Sequence, residues 1–276
     1  MAPLIFKLIF APLMLLTTSL VGRRWGSSVG GSLAALPVVS GSICFFVSLD
    51  QGAAFGSRTA VATLVGMGSL GWFSLAYAHA SRRFAWPVCL VIAYGVVSAA
   101  SLAIIPFANA PGFIALAFTV AMLALASRLM PPAAPSPPLK PPRWDIPARM
   151  ATATALVVGL TALAQSLGPQ LSGLLAAFPM LFTVLLVFTH RHEGAERARG
   201  VLRGFVAGLV ATSLFMEAVA DGVVPLGVGP AFLLAIAAWI GYQVLAISRI
   251  RSSTRAAAAD GAHVEPAATL PVESVS

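Results

Sequence analysis

Charge is what this chain has least of. Only 9% of its 276 residues are Asp, Glu, Lys or Arg, whereas 58% are hydrophobic and the mean hydropathy is +0.91. An ordinary soluble domain carries roughly one-quarter charged residues, and a soluble fold of this length has too little interior to hide so much apolar surface. Cysteine is scarce as well: Cys44 and Cys89 lie in apolar stretches with no second thiol at metal-ligand spacing, and read as small core residues. There is no Ser/His/Asp triad, phosphate-cradling glycine loop or Cys/His zinc pattern, so nothing marks an enzyme, a metal site or a cofactor. The formal net charge of +8 comes without a Lys/Arg run interleaved with aromatics, which removes nucleic acid as a partner.

Long apolar runs are what the chain does have. Segments of about 20 apolar residues recur, the length a helix needs to cross a hydrocarbon core of roughly 30 Å. They are apolar on every face, which excludes the alternating strands of a membrane barrel. The expected spans are 4–21, 32–49, 59–79, 86–105, 112–129, 150–166, 171–189, 201–220 and 229–248, nine in all. Lys7 is read as snorkelling from a first span that is not a cleaved leader, because Arg23 and Arg24 follow its apolar run.

Loop charges set the orientation. Arg23, Arg24, Arg82, Arg83, Arg128, Lys140, Arg143, Arg149, Arg191, Arg197, Arg199, Arg203, Arg249, Arg251 and Arg255 fall in odd-numbered connections or after the last span. The even ones hold Arg58 against Asp50, and Asp221. The positive-inside bias then puts the N-terminus outside and the C-terminus inside.

An internal duplication crosses this pattern. Gly26, Gly31, Leu33, Ala34, Ala35 and Pro37 fall on Gly168, Gly173, Leu175, Ala176, Ala177 and Pro179 at a constant offset of 142. Five crossings separate each element from its partner, so the halves are expected to be inverted, in a 4+1+4 arrangement. The divisions are a first repeat 1–106, a connecting helix 107–130, a Pro-rich extended linker 131–148, a second repeat 149–250 and a disordered tail 251–276.

Proline inside a helix removes a hydrogen bond and frees carbonyls, which in hydrocarbon need another partner. Paired interrupted segments in inverted halves point to a transport site near the midplane. Gly31, Pro37, Ser40, Ser42, Gly173, Pro179 and Thr183 are the candidate contacts to an unidentified small molecule. The same glycines and alanines also suit plain helix packing, within the chain, in a homodimer or against an envelope complex. Glu217, near the outer end of its span and four residues before Asp221 on one helical face, is a candidate ion-coupling acid if deep and a merely solvated one if it sits at the interface. His190, His192 and Glu193 read as a solvated loop despite their metal-like spacing.

The string Leu174-Leu-Ala-Ala-Phe-Pro179, an apolar run, and then His192-Glu-Gly-Ala-Glu-Arg197 resembles the GlpM-like family of small inner-membrane proteins. The likeness covers mainly 150–248, and 4–105 less well, as though two four-helix units were fused. It implies an inner-membrane location and a link to envelope or alginate-type polysaccharide processes, and it transfers no catalytic residue.

Overall fold

The computed structural model describes residues 2–134, 142, 144–156, 158–159 and 179–262, and among them there are helices and no strands. In chain order the helices are α1 (Ala2–Trp25), α2 (Ser27–Ala34), α3 (Val38–Asp50), α4 (Ala53–Ala80), α5 (Trp86–Ile104) with a 3₁₀ extension Ile105–Asn109, and α6 (Gly112–Leu129). A helical stretch over 145–156, here α7, is followed by α8 (Met180–Glu193), α9 (Ala195–Leu226) and α10 (Val228–Ala262). Six are long and apolar enough to cross a membrane: Ser27–Asp50 (α2 with α3), Ala53–Ala80, Trp86–Phe107, Gly112–Leu129, Ala195–Leu226 and Val228–Ala246. The chain is a multi-pass helical membrane protein. Of the nine expected spans, 150–166 and 171–189 lie partly outside the described residues, which cover 150–156, 158–159 and 179–189 of them.

Burial separates centre from periphery. Inside their most apolar windows α4 is 61% and α9 50% buried, against 22% for α5 and α10. The outer helices carry exposed Val91, Leu102, Leu233, Leu234, Val244 and Leu245, side chains that are stable at a surface only when lipid is the solvent. The two central helices run antiparallel, since Ser57 Oγ donates to the Ala220 carbonyl at 2.6 Å and Ser213 Oγ lies 3.8 Å from Met67 Sδ. α6 runs alongside α4 in the same direction: Thr119 donates to the Leu64 carbonyl, and Gly71 lies against Leu123 and Ala126. Cys44 and Cys89 are fully buried, free thiols.

One end of the bundle collects cations. The C-terminus of α6 is held there, with Arg203 donating to the Met130 and Pro131 carbonyls and His79 bonded to the Leu129 carbonyl. Cationic donors on a helix's last carbonyls satisfy groups that have no partner within the helix. The opposite end holds Asp50, Arg58, Glu217 and Asp221.

Two details depart from the sequence expectation. Asp145, assigned to an extended linker, begins α7 and is wholly buried. α10 continues to Ala262, through residues expected to be disordered, because Arg255-Ala-Ala-Ala-Ala is built from strong helix formers.

Backbone geometry recurs at the offset of 142. Pro37 and Pro179 each occupy the position before a helix, with φ −78° and −77°. Gly52 and Gly194 each cap the start of the following helix at φ +90°, a conformation that side-chain-bearing residues rarely adopt.

Candidate functional site

The span containing Pro37 is broken, as its proline demands. α2 stops at Ala34 and α3 starts at Val38, with Ala35 and Leu36 bonded back to the Ser32 and Leu33 carbonyls in a tightened last turn. The Ala35 carbonyl, freed by the break, accepts a short hydrogen bond from Thr212 Oγ1 of α9. Beside it, buried Ser32 accepts from Gln243 Nε2 of α10 at 2.8 Å, and Gln243 Oε1 has no partner among the described residues. The break is therefore lined by polar groups contributed by α9 and α10.

The glycines explain how α9 comes so close. A Cβ on Gly31 would sit 2.0 Å from the Val201 carbonyl oxygen. Conversely, Cβ atoms on Gly204 and Gly208 would lie 1.8 Å and 2.3 Å from the Ser28 and Ser32 carbonyl oxygens, and one on Gly200 would be 2.3 Å from Ser27 Oγ. Gly200, Gly204 and Gly208 repeat every four residues and form one stripe against which α2 lies backbone to backbone. Gly31 is thus a packing residue. Ser40 and Ser42 are half-buried on α3, and Ser42 Oγ is turned back onto the Val39 carbonyl.

At the second proline, Thr183 does the corresponding work within its own helix. Its Oγ1 donates to the Pro179 carbonyl at 3.0 Å and lies 2.6 Å from the Tyr94 hydroxyl of α5. Gly173 lies outside the described residues. The two proline-interrupted spans meet at α2 and α8, and both pack on α9, where Gly31 meets Val201 and Phe182 stacks on Phe205 one turn later, with ring centroids 3.6 Å apart.

Glu217 is half-buried near the end opposite the cations. It lies with Asp221 against the start of α6, so close that a Cβ on Gly112 would be 2.5 Å from Asp221 Oδ1 and 3.0 Å from Glu217 Oε1. Glu217 Oε2 is buried without a partner among the described residues.

The densest polar cluster lies at the cation-rich end and joins four helices. Arg149 of α7 is only 2% exposed; its Nε donates to Asp145 Oδ2 at 2.8 Å, Nη1 to Thr189 Oγ1 at 3.2 Å and Nη2 to Glu193 Oε1 at 2.9 Å. Arg23 of α1 also binds Asp145 Oδ2, and Arg197 of α9 binds Glu193 Oε2 at 2.9 Å. His192 Nδ1 lies 2.7 Å from Asp145 Oδ1, its ring packed between Trp144 and Phe188. Three guanidiniums thus face two carboxylates, and every carboxylate oxygen is engaged. Each buried charge is stable only because its partners are present.

This arrangement corrects the solvated-loop expectation for His190, His192 and Glu193. They form the last turn of α8 and diverge to three different partners, His190 Nδ1 to the buried Tyr77 hydroxyl at 2.9 Å, His192 to Asp145, and Glu193 to Arg149 and Arg197. Among the described residues no three His, Cys, Asp or Glu side chains converge as a metal site would need.

The network was missed because its members are scattered from 23 to 197 and each borders an apolar run, where hydropathy reads a solvated charge. Thr212 carried no signal of its own. The glycine stripe did: a four-residue spacing is legible in any sequence, and it sits outside the duplicated string. No family model matches this chain, and no curated protein or solved structure does either.

Proposed function

We propose that the protein is a membrane transporter built from two inverted halves, with its crossing point at the helix breaks at Pro37 and Pro179. The observation that carries this reading is the α2–α3 interruption itself. In hydrocarbon a broken helix persists only where its freed groups line a cavity or meet protein, and here Thr212, Ser32 and Gln243 gather at it, leaving the Gln243 Oε1 acceptor open. Discontinuous helices of this kind form substrate and ion sites in inverted-repeat transporters.

The antiparallel run of α4 and α9, and the matched backbone at Pro37 and Pro179 and at Gly52 and Gly194, support the inverted duplication. The cation-rich end is then cytoplasmic, nine crossings place the N-terminus outside, and the inner membrane is the location. The GlpM-like resemblance belongs to the same proposal. The other reading, a non-transporting support for envelope polysaccharide assembly, relied on free small-residue faces for a partner subunit. Gly31, Gly200, Gly204 and Gly208 are spent on contacts within the chain, which favours transport.

The test is a comparison of metabolite uptake and export between cells lacking the protein, cells carrying it, and cells carrying Pro37→Ala with Pro179→Ala. A set of solutes should differ between the first two, and the double variant should resemble the deletion at equal membrane abundance. Full restoration by the double variant rules out the breaks as the crossing point.

A further inference from the structure

An opening runs along α8 from Thr183, one turn after Pro179, to Arg191 at the cation-rich end. Between α5, α7 and α8 is a cavity of about 420 Å³, well inside the roughly 300–1,000 Å³ range of small-ligand clefts. Its α8 wall consists of Thr183, Val184, Val187, Phe188 and Arg191, which recur at helical spacing and so form one face about 12 Å long at 1.5 Å per residue. Leu156 of α7 faces them. The floor is therefore mainly apolar, interrupted by the Thr152 and Thr183 hydroxyls, and Arg191 and His192 are confined to the end where α8 finishes.

Two tryptophans, Trp86 at the start of α5 and Trp144 before α7, complete that mouth. Tryptophan beside arginine over an apolar floor is the composition of a membrane–water interface. Arg191 is exposed, and among the described residues it pairs with no carboxylate. The buried acids of this end are already taken, Asp145 by Arg23, Arg149 and His192, and Glu193 by Arg149 and Arg197. The mouth consequently presents positive charge that no acid among the described residues neutralises.

We propose that this groove holds one anionic phospholipid, its acyl chain along Val184, Val187 and Phe188 and its phosphate paired with Arg191. A chain-shaped apolar floor excludes a small hydrophilic anion, and the unpaired guanidinium selects against a zwitterionic head group. Basic pockets between membrane helices at the cytoplasmic side capture anionic head groups by the same chemistry. The groove shares Thr183 with the Pro179 end of α8 but no residue with the Pro37 break, and the inference does not require that anything be transported.

The experiment uses the purified full chain in phosphatidylcholine nanodiscs carrying increasing mole fractions of brominated phosphatidylglycerol, with brominated phosphatidylcholine as the reference. Bromine quenches tryptophan fluorescence at contact, so the anionic lipid should give additional, saturable quenching. Trp86→Phe with Trp144→Phe should remove it. Arg191→Gln should weaken the apparent affinity about fivefold, the factor one basic side chain contributes at an anionic surface, and Arg191→Lys should retain the selectivity. Helical circular dichroism and melting temperature confirm that each variant is folded. Equal quenching by the two lipids in the wild type, or undiminished selectivity in Arg191→Gln, overturns the proposal. A silent transport assay would leave the lipid result standing, so the two readings fail separately.

Discussion

Gly204 of α9 lies so near Ser28 of α2 that a Cβ built on the glycine would be 1.8 Å from the Ser28 carbonyl oxygen. The atom in the way is backbone, which cannot rotate aside. Gly204→Ala must therefore part the two helices and should cost at least about 1–3 kcal/mol, the ordinary penalty of overpacking. Gly95→Ala, at a position where a Cβ meets nothing within 4 Å, should be neutral or stabilising by up to about 1 kcal/mol. Thermal unfolding in detergent should rank Gly204→Ala well below wild type and Gly95→Ala at or above it.

Removing Arg149 leaves Asp145 and Glu193 with fewer partners in a buried site. Arg149→Met should cost about 3–5 kcal/mol, the usual penalty for breaking a buried ion pair from one side. Arg83→Met, at an exposed position, should stay within about 0.5 kcal/mol. Denaturation midpoints of the two variants compare a buried with a solvated guanidinium, and similar values would contradict the network.

Thr212→Val keeps the shape of the side chain but strips the donor from the Ala35 carbonyl. A buried acceptor left without its bond costs about 1–3 kcal/mol, and Thr212→Ser should recover most of it. The same pair of variants belongs in the metabolite comparison, where serine should support function and valine should not.

Both native thiols are fully buried, so a maleimide should leave the folded wild-type protein unlabelled and react only after denaturation. Single cysteines can then be introduced without removing them. Gln51→Cys and Pro111→Cys should react with an impermeant reagent applied outside intact cells, and Arg83→Cys and Pro132→Cys should react only with a permeant one. Labelling of Pro111→Cys and Pro132→Cys from the same side would mean that α6 does not cross, which removes the inverted arrangement.

Composition alone disclosed the solvent, because an apolar excess on every face has only one compatible environment. The break at Pro37 was also legible, since proline acts through its own backbone and needs no knowledge of neighbours. What brings Thr212 to that break, or Arg23 to Asp145, is helix packing between residues 122 to 177 positions apart. Hydropathy averages a charge with its apolar surroundings, and so treats Asp145 and Arg149 as loop residues when they are the inside of a four-helix junction. Gly173, by contrast, belongs to a segment outside the described residues, and its role rests on the sequence repeat alone.

The glycines at the helix joints carry a mechanical consequence. Gly26, Gly52, Gly194 and Gly227, all at positive φ, join consecutive helices through one or two residues, so α1 to α4 and α8 to α10 form two chains of rods with almost no slack. Rods so connected cannot slide independently. A displacement applied to α9 is transmitted to α8 and α10 within a single residue, and the three-residue joint Ala35 to Pro37 is the longest in the first set of rods.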